Sequence, residues 1–226
     1  MKSTISLLSA FSLCLAALLL VNCTKQPIVL TAPAAGAKLL AGDTISVQWT
    51  PSIANPKLSY NYHLASSPWD TFATVIPVNS QEAKVVLPAM WYSDSFQIKV
   101  EDNNGAHNAG VSGYLHLKFI ILTTALAGQT IKVGDSITLS WRVLPTEIPS
   151  VEVMLSTDSG KSPFNEIVGG GSISTGTALS CIWVVGSETG YNFTLAYPSS
   201  GCIVKVRKYS DDFNKDLSGI FTVAKP

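Results

Sequence analysis

Residues able to do chemistry are few in this chain, and they do not converge. There are four cysteines (Cys14, Cys23, Cys181 and Cys202) and three histidines (His63, His107 and His116). None of the histidines is paired by pattern with an activated Ser or Cys nucleophile, so no triad-like arrangement can be assembled. His63 and His116 alternate with apolar neighbours and read as solvent-facing strand positions. The acidic runs Glu101-Asp102-Asn103-Asn104 and Asp211-Asp212, with Asn214 and Asp216, offer oxygens of the kind calcium takes. Their spacing fits no dedicated calcium loop, and solvated turns are the simpler reading. Gly160–Phe164 (GKSPF) lacks the earlier glycine and the following helix that a phosphate loop requires. The last class is aromatic: Trp69 in SSPWD and Trp91-Tyr92 in PAMWYSD stand among turn residues. Flat rings in such places can meet a sugar or a protein, and the competing reading makes them partly buried loop anchors. No catalytic, metal or cofactor site emerges.

The elements that must position these residues are strands. The 226 residues include sixteen Gly and twelve Pro, only 13% are charged, and basic and acidic residues number 15 each. That composition favours short strands joined by turns and gives nothing to steer the chain to nucleic acid. The N-terminus begins Met1-Lys2, runs apolar from Ile5 to Val21 and ends Asn22-Cys23. A positive start before a short apolar stretch is an export signal. In an exported chain, Cys181 and Cys202 form an even pair at inward-facing phases, which points to one disulfide, with two buried free thiols as the alternative.

The segment Leu20-Val21-Asn22-Cys23 resembles the lipobox of bacterial lipoprotein signal peptides. That resemblance implies cleavage before Cys23, lipidation of Cys23 and retention in the envelope membrane through acyl chains. With Thr24-Lys25 following, and no Asp, it implies the outer membrane. Two further readings stay open: an uncleaved anchor, short for spanning at 17 residues, or an ordinary signal peptide. Ser156-Thr157-Asp158-Ser159-Gly160 with Phe164 resembles an Asp-box hairpin, which implies a stapled turn and no glycosidase.

A phrase is written twice, GDTISVQW at Gly42–Trp49 and GDSITLSW at Gly134–Trp141. At an offset of 92, Ile28–Trp49 and Ile120–Trp141 share nine of 22 residues, and at an offset of 106 Ser112-Gly113 meets Ser218-Gly219. About 14 extra residues in the second copy are expected around Ser172–Ser180 and Tyr191–Gly201. Within each copy the period is two: Ile45, Val47 and Trp49 alternate with polar residues, as do Ile137, Leu139 and Trp141. Both tryptophans therefore read as core. Short alternating strands between Gly/Pro/Asn/Ser clusters predict two antiparallel sandwiches of the immunoglobulin kind. The order of features resembles Ig-like modules of fungal cell-wall synthesis proteins and of bacterial surface lipoproteins.

The expected organisation is a signal peptide (1–22), a lipid-anchored tether (23–27), one Ig-like module (28–118) and a second (119–226). The expected role is a non-enzymatic envelope lipoprotein serving as a structural or interaction arm, with a membrane contact through its lipid and an envelope protein or polysaccharide as partner. The alternative is a carbohydrate-binding module that uses Trp69, Trp91 and Tyr92.

Overall fold

The computed structural model describes residues 25–62, 68–167, 172–187 and 198–226. Cys23, His63 and the Gly169–Gly171 run lie outside them. Every regular element among the described residues is a strand, and no helix there is long and apolar enough to cross a membrane.

The alternation seen in sequence becomes two facing sheets in each half. In the first half a three-stranded sheet runs β2 (Val29–Ala32), β4 (Thr44–Ile53), β7 (Ser80–Val86). It faces a sheet ordered β3 (Lys38–Leu40), β11 (Leu115–Lys118), β8 (Ser93–Asp102), β5 (Pro56–Asn61), β6 (Asp70–Thr71), with β10 (Gly110–Val111) also on β8. The second half repeats the plan. Its sheets are β12 (Ile120–Leu122), β14 (Ser136–Val143), β18 (Ser180–Val184), and β13 (Thr130–Lys132), β21 (Phe221–Ala224), β19 (Ser199–Lys208), β15 (Ser150–Ser156), β16 (Asn165–Glu166). There β17 (Ile173–Ser174) adds to β15 and β20 (Lys215–Leu217) to β19. This is the two-sheet arrangement of an Ig-like sandwich, built twice in tandem. Ahead of the first sandwich, β1 (Gln26–Pro27) pairs in parallel with β9 (His107–Asn108).

The register repeats as closely as the letters. Lys38 stands opposite His116 in the first half, and Thr130 opposite Thr222 in the second. Val47 pairs with Ala83, and Leu139 with Cys181, so Cys181 holds the position of Ala83. Three of the extra residues stand outside the expected segments, ahead of β15. From β4 to β14 the offset is 92, but Lys57 opposite Glu101 becomes Glu152 opposite Arg207, an offset of 95 at that strand. It is 98 at Ala83 and Cys181 and 106 by Cys202. Three residues thus enter before β15, three before β18 and eight before β19.

Trp49 and Trp141 lie wholly inside, among Val47, Phe96 and Leu115 in one half and Leu139, Val204 and Phe221 in the other. Neither indole Nε1–H meets an acceptor. An unpaired buried donor costs about 1–3 kcal/mol, a cost outweighed by ring burial and unlike the environment of a ring that meets ligands. The repeated Ser-Gly is explained as well. Ile98 N–H donates to Ser112 Oγ and Val204 N–H to Ser218 Oγ, both at 3.0 Å. A Cβ on Gly113 would stand 2.6 Å from the Ala35 methyl, and one on Gly219 2.5 Å from that of Ala127. The small pairs let the strand entering each second sheet pass directly over the preceding turn.

Candidate functional site

The place where residues from distant parts of the sequence converge is the junction of the two sandwiches. Strand β11 ends at Lys118 and β12 begins at Ile120, so Phe119 alone connects them. Phe119 is buried, and the flanking carbonyls are used at once: Lys118 O accepts from Ala41 N–H at 2.8 Å and Phe119 O from Leu144 N–H at 2.9 Å. The Tyr92 ring meets the Phe119 ring edge-on, with centroids 6.3 Å apart.

Charge closes both sides. Arg142 Nη2 donates to Asp43 Oδ1 and Oδ2 at 2.9 and 2.7 Å. The pair is exposed to solvent and contributes at most about 1 kcal/mol, so it fixes orientation more than stability. Lys38 Nζ donates to Asp216 Oδ1 at 2.6 Å, while Asp216 Oδ2 accepts from Leu122 N–H at 3.0 Å. Asp216 is buried; removing Lys38 would leave that carboxylate with its backbone donor but no counter-charge, a costly state at low dielectric. Beside this pair lies a cleft of about 410 Å³, also lined by Asp94, His116, Lys118 and Leu217. Asp94 Oδ1 accepts from Lys118 Nζ at 2.6 Å and lies 3.0 Å from His116 Nδ1. The Lys118 hydrogen bond, and then that to His116, holds the Asp94 carboxyl below the usual range.

The aromatics singled out from sequence meet different neighbours. Trp69 lies against Lys99 on the outer side of β8, the ammonium 4.9 Å from its ring centroid. Tyr92 belongs to the junction. Trp91 is 55% exposed and remains a free ring. Tyr92 keeps 47% exposure beside its contact with Phe119. The lysines at the same strand position in each copy, 106 residues apart, both meet a ring: Lys99 lies under Trp69 as Lys205 lies under Phe164, 4.3 Å from its centroid.

Cys181 and Cys202 take the inward positions expected, yet their thiols are not joined. Cys202 Sγ donates to Ser199 O at 3.7 Å. Cys181 packs against the core beside Leu139 and is pushed up to about 11 by burial. The Asp-box segment is a stapled turn. Asp158 accepts from Ser156 Oγ, Lys161 N–H and Ser162 N–H, Ser156 Oγ in turn accepts from Gly160 N–H, and the Asp158 carboxyl is lowered to about 2 by the Ser162 and Ser156 bonds. Asp211 likewise serves its own turn, accepting from Phe213 N–H and Asn214 Nδ2. Among the described residues no group of three or more His, Cys, Asp or Glu side chains is placed to hold a metal ion.

No family model and no curated protein matches the chain. Among solved structures it is similar to the fibronectin(III)-like modules of Clostridium thermocellum CbhA, at 14% identity and a TM-score of 0.30, over 88% of this chain and 94% of that one. It is also similar to the tandem Ig repeats of Dlar, at 8% identity and a TM-score of 0.27, over 89% and 98%. A titin I-band fragment gives 10% identity and a TM-score of 0.29, over 90% and 68%.

Proposed function

We propose that this chain is a non-enzymatic cell-envelope lipoprotein, held at the outer membrane through lipid on Cys23, whose two Ig-like modules form a stiff interaction arm. The observation that supports the arm is the one-residue connection at Phe119, bracketed by Arg142–Asp43 and Lys38–Asp216. A connection of one buried residue has no linker entropy to spend, so the modules present a fixed combined surface.

The anchor is supported by the Leu20–Cys23 segment alone. Several acyl chains, at about 0.8 kcal/mol per buried methylene, make dissociation negligible. The test is detergent phase partitioning of the wild type and Cys23→Ala. The expected result is that the variant stays unprocessed and carries no lipid label; a Cys23→Ala protein of wild-type size and labelling would end the lipoprotein reading. For the arm, small-angle scattering of the full chain in detergent is compared with a variant in which Phe119 is replaced by Gly-Ser-Gly-Ser-Gly. A broadened distance distribution only in the variant is expected, and identical distributions would contradict a stiff junction.

A further inference from the structure

The cleft at the junction continues along the second module. A second cavity of about 520 Å³ shares Lys215 and Leu217 with the first and extends to Lys205, Arg207 and Phe164. The two make one groove that neither module could form alone. Lys38, Lys118, Lys205, Arg207 and Lys215 line it, against Asp94, Asp212 and Asp216. The excess of two positive charges is local, since the whole chain carries 15 of each sign. Glu152, behind the groove, takes one of them by accepting from Arg207 Nε at 2.6 Å.

The placement of the exposed carboxylates is informative. Asp212, 51% exposed, accepts from Lys215 at 2.7 Å, Lys205 at 2.8 Å and Arg207 at 3.4 Å. Asp94, 64% exposed, is met by Lys118 and His116. Each cation cluster is thus arranged around a carboxylate already at the surface; Lys215 and Lys118 keep some exposure and can take a further oxygen from solvent, while Lys205 is covered. Apolar side chains complete the lining, Leu217 in both cavities and Met154, Pro163 and Phe164 in the second.

We infer that this groove binds an acidic polysaccharide, its sugar carboxylates received at the Lys118 and Lys215 clusters and its ring faces lying on Leu217 and Phe164. The inference rests on the arm being displayed at the envelope, and it names the chemistry of the partner. An acidic peptide is the weaker fit. The second-module wall is formed by β19, which is laddered to β15 on one side and to β20 and β21 on the other. The free edge of that wall is β20, three residues long, whose Leu217 carbonyl already accepts from Lys38 Nζ, so an extended peptide finds little backbone to pair with. Side chains make up most of what the groove offers, which suits a ligand recognised by carboxylates and ring faces.

The experiment is calorimetric titration of the full chain in detergent micelles at low ionic strength with tetragalacturonate, maltotetraose or hexaglutamate. Tetragalacturonate should bind and weaken steeply with added salt, and maltotetraose should not bind. Lys118→Ala with Lys215→Ala should weaken binding by about tenfold or more, as for loss of charge-assisted hydrogen bonds. Lys118→Arg with Lys215→Arg should retain it, which separates a lost site from a lost fold. Lys99→Ala, outside the groove, should bind as wild type. No binding of tetragalacturonate, equal binding of maltotetraose, preference for hexaglutamate, or an unaffected double alanine variant would each overturn the assignment. These outcomes are independent of whether Cys23→Ala leaves the membrane.

Discussion

The Gly42-Asp43 and Gly134-Asp135 turns carry the same two letters and the same backbone. Both glycines have positive φ, +82° and +98°, which L side chains adopt only with strain. Both aspartate carbonyls receive the strand end of the opposite hairpin, from Leu87 N–H at 2.8 Å and Val185 N–H at 2.9 Å. The side chains then part company. Asp43 reaches Arg142 of the other module, whereas Asp135 folds back to accept from Lys132 N–H at 2.8 Å. The outer strands divide in the same way. Lys99 is paired with Glu101, while at the matching positions Lys205 and Arg207 are both cations and share Asp212. What the duplication repeats is backbone geometry and core; what it varies is the outward chemistry, and the groove exists only because the second copy varied.

The severest challenge to the shared-core half of that comparison is Trp49→Ala against Trp141→Ala. Emptying either site should cost about 3–5 kcal/mol, and because the two rings sit in separate modules the losses should add to within about 0.5 kcal/mol. Chemical denaturation of the single and double variants measures this; a near-silent substitution at either would break the equivalence. Next come the crowded glycines. Gly113→Ala and Gly219→Ala should each cost about 1–3 kcal/mol by overpacking. Ala35→Gly in the Gly113→Ala background, and Ala127→Gly in the Gly219→Ala background, should recover much of it in thermal melts.

Acid should sharpen the difference in surface. Asp212 is held far below the usual carboxylate range by hydrogen bonds from Lys205 and then Lys215, and Asp94 is held down by Lys118. Groups whose folded values are depressed contribute stability above their ordinary values, and that contribution is lost as pH falls through the folded values. Melting temperature should therefore drop progressively below about pH 4, and Asp212→Asn with Asp94→Asn should flatten the drop; an unchanged slope would remove these contacts from the balance. The smallest effect is expected at Arg142→Ala, below about 1 kcal/mol. Its signature should be a broader inter-module distance distribution in scattering, absent from Asp135→Ala.

Much of this was legible in the chain because sandwiches impose a period of two. Val47, Trp49, Leu139 and Trp141 announce their burial by alternation alone. Cys181 was placed opposite the core through its register with Ala83, and Asp158 through its turn motif. The junction was not legible, since Asp43–Arg142 and Lys38–Asp216 join residues 99 and 178 positions apart, and no local pattern encodes a contact between modules. Tyr92 shows the limit well. A ring among turn residues looks available in sequence, and only the approach of Phe119 assigns it to the joint. Lys205 shows another, because alternation gave its outward phase and could not reveal that Phe164 and the turn at Asp212 would cover it.

The short parallel pairing of Gln26–Pro27 with His107–Asn108 has a mechanical side. Ile28 N–H donates to Asn108 O, and Asn108 Nδ2 donates to Lys25 O, so the strip that leads toward Cys23 is clipped to the base of the first module over a few residues. If that end is held in a membrane while the groove is pulled by a polymer, the clip bears the load before either sandwich does. Released, its two strand residues add slack of about 7 Å, at roughly 3.3–3.6 Å each, and the core of Trp49 stays closed. Under such a load the clip would act as a fuse, yielding a little length before the arm unfolds.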